Sequence, residues 1–357
     1  MKKAALPLIL LLGALTVLTA GGEGEKPSGP VRWEIGKALE TRLGNTLSGT
    51  LEGMLSLPKT YWLRDSEQAA PRPRPEGWGS AGSPEEMTVP EDFYFGAYTE
   101  ILAGSEIRYY ADETILAVTW KEVHDYGVYT FSEVKIAHPS QLRRFLAGGE
   151  YGSDKQFTPS DMAESVNAVV ASAGDFYRFR QLGTIVYEGQ VRRVDSLLVD
   201  TCFVDEEGNL LIARAGEMEN EAVAREFVEK NKIRFSLNFG PALIAEGQRC
   251  EPGHYLLGEI DEEYARAAIC QLGPCHYLLA TANKEGPWQH VPDIREFASV
   301  LEKTGCETAY ALDGGQTAVI VMEGEPVNRV VFGQQRRISD IIYFATALPD
   351  GGETWKK

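Results

Sequence analysis

Cysteine is scarce in this chain: Cys202, Cys250, Cys270, Cys275 and Cys306 are the full set. Five cannot all pair, and a chain of this length does not need disulfides to hold a core. A bridge between Cys270 and Cys275 is the one suggested by proximity. Histidine is equally sparse (His124, His138, His254, His276, His290), and no pair falls into an H-E-x-x-H or similar spacing. With no cysteine spacing suited to zinc either, no structural zinc site and no cofactor are expected. Basic charge is also short, with 35 Lys and Arg against 52 Asp and Glu and a formal charge of −17. That balance argues against binding nucleic acid or anionic membrane through a general basic field. Long apolar runs are missing too, apart from one at the N-terminus.

That run, Ala4 to Ala20, follows Lys2 and Lys3 and precedes Gly21 and Gly22, the layout of an export signal cleaved near Ala20 or Gly21. Pro7 and Gly13 weaken it as a membrane helix, and it falls just short of the roughly 18 apolar residues of a confident span. The expected protein is therefore secreted or extracytoplasmic, with a retained anchor as the alternative. The organisation expected is a signal over 1–20, a polar Pro/Gly-rich segment and linker over 21–95, one main domain over 96–346, and a tail over 347–357. Gly77, Gly79 and Gly82 match G-x-G-x-x-G, but the prolines upstream forbid the buried strand a dinucleotide site needs.

At 43% hydrophobic residues the chain can bury a substantial core. "ETILAVTWKEV" and "GVYTFSEVKIA" alternate like strands. "HPSQLRRFLAGG" reads as a short helix begun at Pro139 and closed by Gly148. "TPSDMAESV" starts a helix with Thr158 as N-cap, Pro159 at N1 and Asp161 at N3. Hairpins are predicted to turn at Glu188-Gly189 and near Glu207-Gly208-Asn209. "ENEAVAREFVEKN" is an amphipathic helix. "PDIREFASVLEKTG" is a second, with Ile294, Phe297, Ala298 and Leu301 on one face and Gly305 closing it. Short strands mixed with several helices predict an α+β fold of mixed or antiparallel sheets flanked by helices.

Four places set polar groups where a strand meets a turn: Asp175 after Gly174, Asn238 ahead of Phe239-Gly240-Pro241, Arg266 in the apolar "ARAAIC", and "LDGGQT", where Asp313 precedes Gly314, Gly315, Gln316 and Thr317. Taken singly, each has a plain structural reading as a turn, a cap or a surface ion pair. Together they are the residue types that a phosphorylated or acetal substrate calls for: arginine and glycine amides for phosphate oxygens, carboxylates for acid–base work. His276 is a weaker candidate, since a packed strand histidine is the commoner case.

"GDFY", "FGPALIAEGQ", "RAAICQLG", "AYALDGGQTAVIVMEGEPVN" and "RRISDIIYF" follow one another in that order. This ordered set, from about Ser132 to Phe344, resembles the phosphodiester glycosidase family, whose elements run N-G-D/G-F/Y, F-G-P-x-L-V, R-T-A-I-G and D-G-G-G/Q-S. The resemblance implies hydrolysis of the bond between a sugar's anomeric carbon and a phosphodiester oxygen, with a sugar phosphodiester or glycan as substrate. It implies that Asp175, Phe176, Gly240, Pro241, Arg266, Asp313, Gly314, Gly315 and Gln316 line the site. On that basis Asp313, Asp175 and Arg266 are expected to be catalytic, and Gly314, Gly315, Gln316, Thr317, Phe176 and Gly240 to bind substrate, together with Asn238 and His276 from the reading of the residues themselves. Arg266 and the amides of Gly314 and Gly315 would hold phosphate, while one of Asp313 and Asp175 activates water. Ala173, Ala267, Cys270 and Thr317 depart from the family pattern; of these, Ala173 replaces an asparagine and removes a hydrogen-bonding side chain. The competing expectations are a non-catalytic envelope protein that binds or assembles exopolysaccharide, and a metal-dependent phosphodiesterase.

Overall fold

The computed structural model describes residues 31–32, 73, 77–95, 97 and 101–346, the last stretch without 113, 125–126, 196–197, 253–259 and 287–289. The expected signal and C-terminal tail, and most of the polar segment before Gly77, lie outside the described residues.

Apart from a two-residue parallel pair, Val31–Arg32 with Met87–Thr88, four strands come first: β1 (Trp78–Ala81), β2 (Ile107–Ala111), β3 (Ile115–His124) and β4 (Gly127–Ile136), each antiparallel to the next. β5 (Leu142–Leu146), α1 (Pro159–Ser165) and β6 (Val170–Ala173) begin a second sheet. Two hairpins follow, β7 (Ile185–Tyr187) with β8 (Gln190–Arg193) and β9 (Thr201–Val204) with β10 (Leu210–Ala213), then α2 (Glu221–Lys230) and β11 (Phe235–Leu237). The chain returns to the first sheet through β12 (Ala242–Ala245), β13 (Gln248–Arg249), β14 (Arg266–Gly273), β15 (His276–Asn283), α3 (Ile294–Glu302) and β16 (Thr308–Leu312). β17 (Ile320–Met322), β18 (Glu325–Pro326) and β19 (Asp340–Phe344) complete the second. The nine-stranded sheet runs β13-β12-β16-β14-β15-β4-β3-β2-β1 and the five-stranded sheet β18-β17-β6-β19-β5.

Period-two geometry explains the layering. Along β3, Leu116, Val118 and Trp120 face one core with Phe297 and Leu301 of α3. Ile115 and Ala117 face the other way, against Val170, Ile320, Ile342 and Phe344 of the five-stranded sheet. That sheet's outer face, through Ala171, Val321, Ile341 and Tyr343, is covered by Met162, Ala163 and Val166 at α1. The order is therefore helix, sheet, sheet, helix: an α+β fold of antiparallel sheets, as the sequence predicts. Local signals are realised in detail, since Thr158 accepts from the Asp161 amide at 3.2 Å and Asp293 caps α3 in a capping box.

Three segments differ from expectation. The predicted helix at "LRRFL" is strand β5, which pairs along its whole length with β19; only Pro139–Gln141 makes a short 3-10 turn. Within the stretch read as linker, Trp78–Ala81 forms an edge strand. Its glycines leave room for tyrosine rings, because a Cβ on Gly79 would come within 2.3 Å of Tyr109 and one on Gly77 within 2.5 Å of Tyr110. Cys270 and Cys275 are unbridged: Cys270 is buried opposite Leu278, and Cys275 occupies the turn between β14 and β15.

Candidate functional site

The site forms where the two sheets meet. β16 ends at Leu312, and the next residue's amide, that of Asp313, crosses to the Gly174 carbonyl at the end of β6 (3.2 Å). One hydrogen bond thus brings together the two sequence-predicted carboxylates, Asp313 from the larger sheet and Asp175 from the smaller. Gly174 is required for this closeness, since a Cβ there would lie 2.3 Å from Asp340 Oδ2.

Asp175 is buried and held by four donors. Oδ2 accepts from the Asn238 amide (2.7 Å), Asn238 Nδ2 (2.9 Å) and Arg144 Nη2 (3.4 Å), while Oδ1 accepts from the Phe176 amide (2.6 Å). Asp340, the first residue of β19, supports it from behind by accepting the Asp175 amide on Oδ1 (3.0 Å) and Arg144 Nε on Oδ2 (2.8 Å). Arg144 lies diagonally across from Asp340, since its direct β5–β19 partner is Ile342. Burial works against its charge, but Asp340 and Asp175 outweigh this and raise its pKa. Burial raises the Asp340 carboxyl, with Arg144 opposing and Asp175 adding to the rise.

Asp313 is in a different electrostatic position. Burial lifts its pKa to about 7; a hydrogen bond with Thr317 and the charge of Arg336 pull it down, and Asp175 and Asp340 push it up. Thr317 Oγ1 also donates to the Gly314 carbonyl at 2.6 Å, which fixes the turn beneath the carboxyl. The pair is thus unlike: one carboxylate tied by four donors, the other poised to exchange a proton near neutrality.

Other expected residues are placed as follows. Gly240 and Pro241 are joined by a cis peptide beside β16, the Gly240 amide donating to the Ala311 carbonyl (3.1 Å). Gln316 Nε2 donates to the Gln334 carbonyl (3.0 Å), tying the glycine turn to the loop before β19. The Gly315 amide does not face outward for phosphate; it donates to the Ala265 carbonyl at 2.7 Å. Arg266 opens β14, one position beyond the Ala267–Leu312 pair and so level with Asp313. Its guanidinium donates to the carbonyls of Pro292 (3.3 Å) and Glu262 and stacks on Tyr264 at 3.9 Å, which makes it a brace for the neighbouring loops. The arginine bonded to Asp175 is Arg144. His276 sits at the other end of the β14–β15 hairpin, about 20 Å along the strand from Ala282, the partner of Arg266. There it bonds to Glu133 (2.8 Å) and stacks on Phe93, a packed strand histidine.

Arg144, Asp340 and Arg336 surround the carboxylate pair and were missed by motif reading. Asp340 carried a signal, a carboxylate opening the apolar run "DIIYF". Arg144 was hidden by the helical reading of "LRRFL". Arg336 lies over the Phe176 ring at 5.7 Å, and Phe176 stacks on the exposed Phe179. A cavity of about 460 Å³ opens beside the glycine turn, with Gly315, Ala265 and Tyr264 on its wall. Among the described residues, no group of three or more His, Cys, Asp or Glu side chains is arranged to hold a metal ion.

A two-sheet antiparallel fold carrying a carboxylate pair at the sheet seam is the class defined by this geometry. Residues 166–345 match the sequence model of the phosphodiester glycosidases, and the chain belongs to that family. Among solved structures it is similar to the catalytic domain of zebrafish N-acetylglucosamine-1-phosphodiester alpha-N-acetylglucosaminidase auto-inhibited by its pro-peptide. That match has a TM-score of 0.50 and 13% identity, over 76% of this chain and 88% of the other. A hypothetical protein from Synechocystis matches at TM-score 0.48 and 16% identity over 67% of this chain, which spans 64% of the length of that relative. A putative exported protein of Burkholderia pseudomallei K96243 matches at 0.40 and 14%, over 62% and 74% of the two chains. No curated protein matches the sequence.

Proposed function

We propose that this protein is an exported hydrolase that cleaves the glycosyl bond of a sugar phosphodiester and releases free sugar. Family membership supplies the reaction class. The observation that carries the reading is the unlike carboxylate pair: Asp313 with a pKa of about 7 beside an Asp175 fixed by four donors. A phosphomonoester is a good leaving group and needs little protonation, so the demand falls on activating water and stabilising positive charge at the anomeric carbon. Asp313 takes the proton from water as its oxygen bonds to that carbon. The bond from carbon to the phosphodiester oxygen breaks, and the phosphomonoester departs as an anion. Asp175, fixed by its four donors, faces the developing oxocarbenium charge. Arg336, exposed and within electrostatic reach of Asp313, is the cation we assign to the phosphate in place of Arg266.

Ala173 in place of the family's asparagine does not undermine this reading. Its side chain packs into the apolar layer behind the site, while the amide of Asn238 donates to Asp175. Residues 78–346, which take in edge strand β1, would form the catalytic domain, with export directed by residues 1–20; envelope fractionation of the expressed full-length chain tests the latter.

The deciding experiment incubates the protein with a methyl phosphodiester of a sugar 1-phosphate and separates free sugar from sugar phosphate. Free sugar is expected, because the glycosyl bond breaks; sugar phosphate would mean phosphoester cleavage and would refute the reading. Asp313→Asn should lower turnover by roughly 10²-fold or more. In the wild type kcat/KM should rise with pH through about 7, a limb absent from the variant's residual activity.

A further inference from the structure

We propose that the cavity beside the glycine turn is the leaving-group subsite, shaped for a leaving group that carries a ring and a second phosphate. A nucleotide or the next repeat of a sugar–phosphate chain has this chemistry. The inference rests on Asp313 acting in a phosphodiester glycosidase and specifies which phosphodiesters that site prefers.

Position is the first argument. Gly315, which lines the cavity, lies two residues beyond Asp313 in the same glycine turn, so the cavity adjoins the turn that carries this carboxyl. A volume of about 460 Å³ is within the range of small-ligand sites and exceeds what a methyl ester fills. Charge is the second. The chain carries −17 overall, yet Lys284 and Arg329 both line this cavity. Lys284 is exposed and makes no ion pair among the described residues. Arg329 is positioned by its Nη1, which donates to the Glu285 carbonyl at 2.8 Å. Cations concentrated in one cleft of an acidic protein complement an anion beyond the scissile phosphate.

Phe332 is the third argument. It is 85% exposed and lines the cavity, and a single exposed aromatic would by itself mean little. Its backbone, however, is left-handed, with φ 61° and ψ 11°, a conformation that costs a bulky residue on the order of 1–3 kcal/mol and recurs at ligand clamps. The loop around it is tied down on both sides: Val330 is buried in the outer core, and the Gln334 carbonyl accepts from Gln316. Fixed backbone thus carries an exposed ring on the cavity wall, a stacking surface for a sugar or a base.

The test compares three substrates bearing the same sugar: its methyl phosphodiester, its UDP conjugate (UDP-N-acetylglucosamine for that sugar), and a two-repeat sugar phosphodiester. The wild type should favour at least one of the two larger compounds over the methyl ester in kcat/KM by about tenfold or more. Phe332→Ala and Lys284→Gln should each reduce that preference severalfold. Whichever larger compound shows the preference identifies the leaving group. A wild-type ratio near one, or a preference untouched by both substitutions, overturns the subsite. Calorimetric titration of the Asp313→Asn protein with the same compounds separates this proposal from the reaction itself. Preferential binding of a larger compound without hydrolysis by the wild type would sustain the cleft and sink the glycosidase reading; hydrolysis without preference would do the reverse.

Discussion

Arg144 shows how much a single buried cation supports here. It bonds to Asp340 (2.8 Å) and Asp175 (3.4 Å) and also to the Ser236 carbonyl, with its charged end out of water. The two carboxylates it serves come from the ends of different strands, so removing it leaves two buried acids with no cation between them. Replacement by methionine, which keeps much of the volume, should cost about 3–5 kcal/mol of unfolding free energy at pH 7, measured by urea denaturation. Because burial raises the Asp340 pKa, that acid can take up a proton as the pH falls, and the loss should shrink toward pH 5. An equal loss at both pH values would mean that Arg144 acts through packing alone.

At the scale of elements, the site depends on strand ends and on one glycine. Gly174→Ala would drive a methyl group into the Asp340 carboxylate, which Arg144 holds in place. The expected outcome is a fall in kcat of at least about tenfold with KM much less affected, since Asp175 and Asp313 would be spread apart while the cavity at Gly315 is left alone. Steady-state kinetics on the methyl phosphodiester, with circular dichroism to confirm folding, checks this. The same scale explains which parts were legible in the sequence. Helix α3 was readable because its caps and apolar face lie within a dozen residues. Asp175 and Asp313 were readable because each sits in a local motif. β5 was not: Arg143 and Arg144 suit a helix, and the decision for strand comes from pairing with residues 340–344, far along the chain. Once its register was lost, so were the inward direction of Arg144 and its partnership with Asp340. The bonds of Arg266 were illegible for a related reason, since nothing local told that its guanidinium reaches the carbonyls of Pro292 and Glu262.

For the molecule as a whole, the carboxyl to which we assign proton transfer opposes folding. The unfolded chain loses the Asp313 proton near 3.8, whereas the native protein keeps it to about 7. Between these values the folded state holds the extra proton, so this group's contribution to stability declines as pH rises across the window and stays diminished above it. Asp313→Asn removes that dependence. Its Tm should match the wild type near pH 4 and exceed it at pH 8, a difference that calorimetry at the two pH values will resolve; a variant less stable at pH 8 would contradict the buried, raised carboxyl.

The amide of Asp313 reaches across the seam to Gly174, so the two carboxylates of the proposed reaction are split between two structural halves like the jaws of a caliper. Neither sheet, however well formed, contains a working gap by itself. Turnover therefore gauges how well the halves are docked, and under gentle denaturant it should fade when the seam loosens, before either sheet melts.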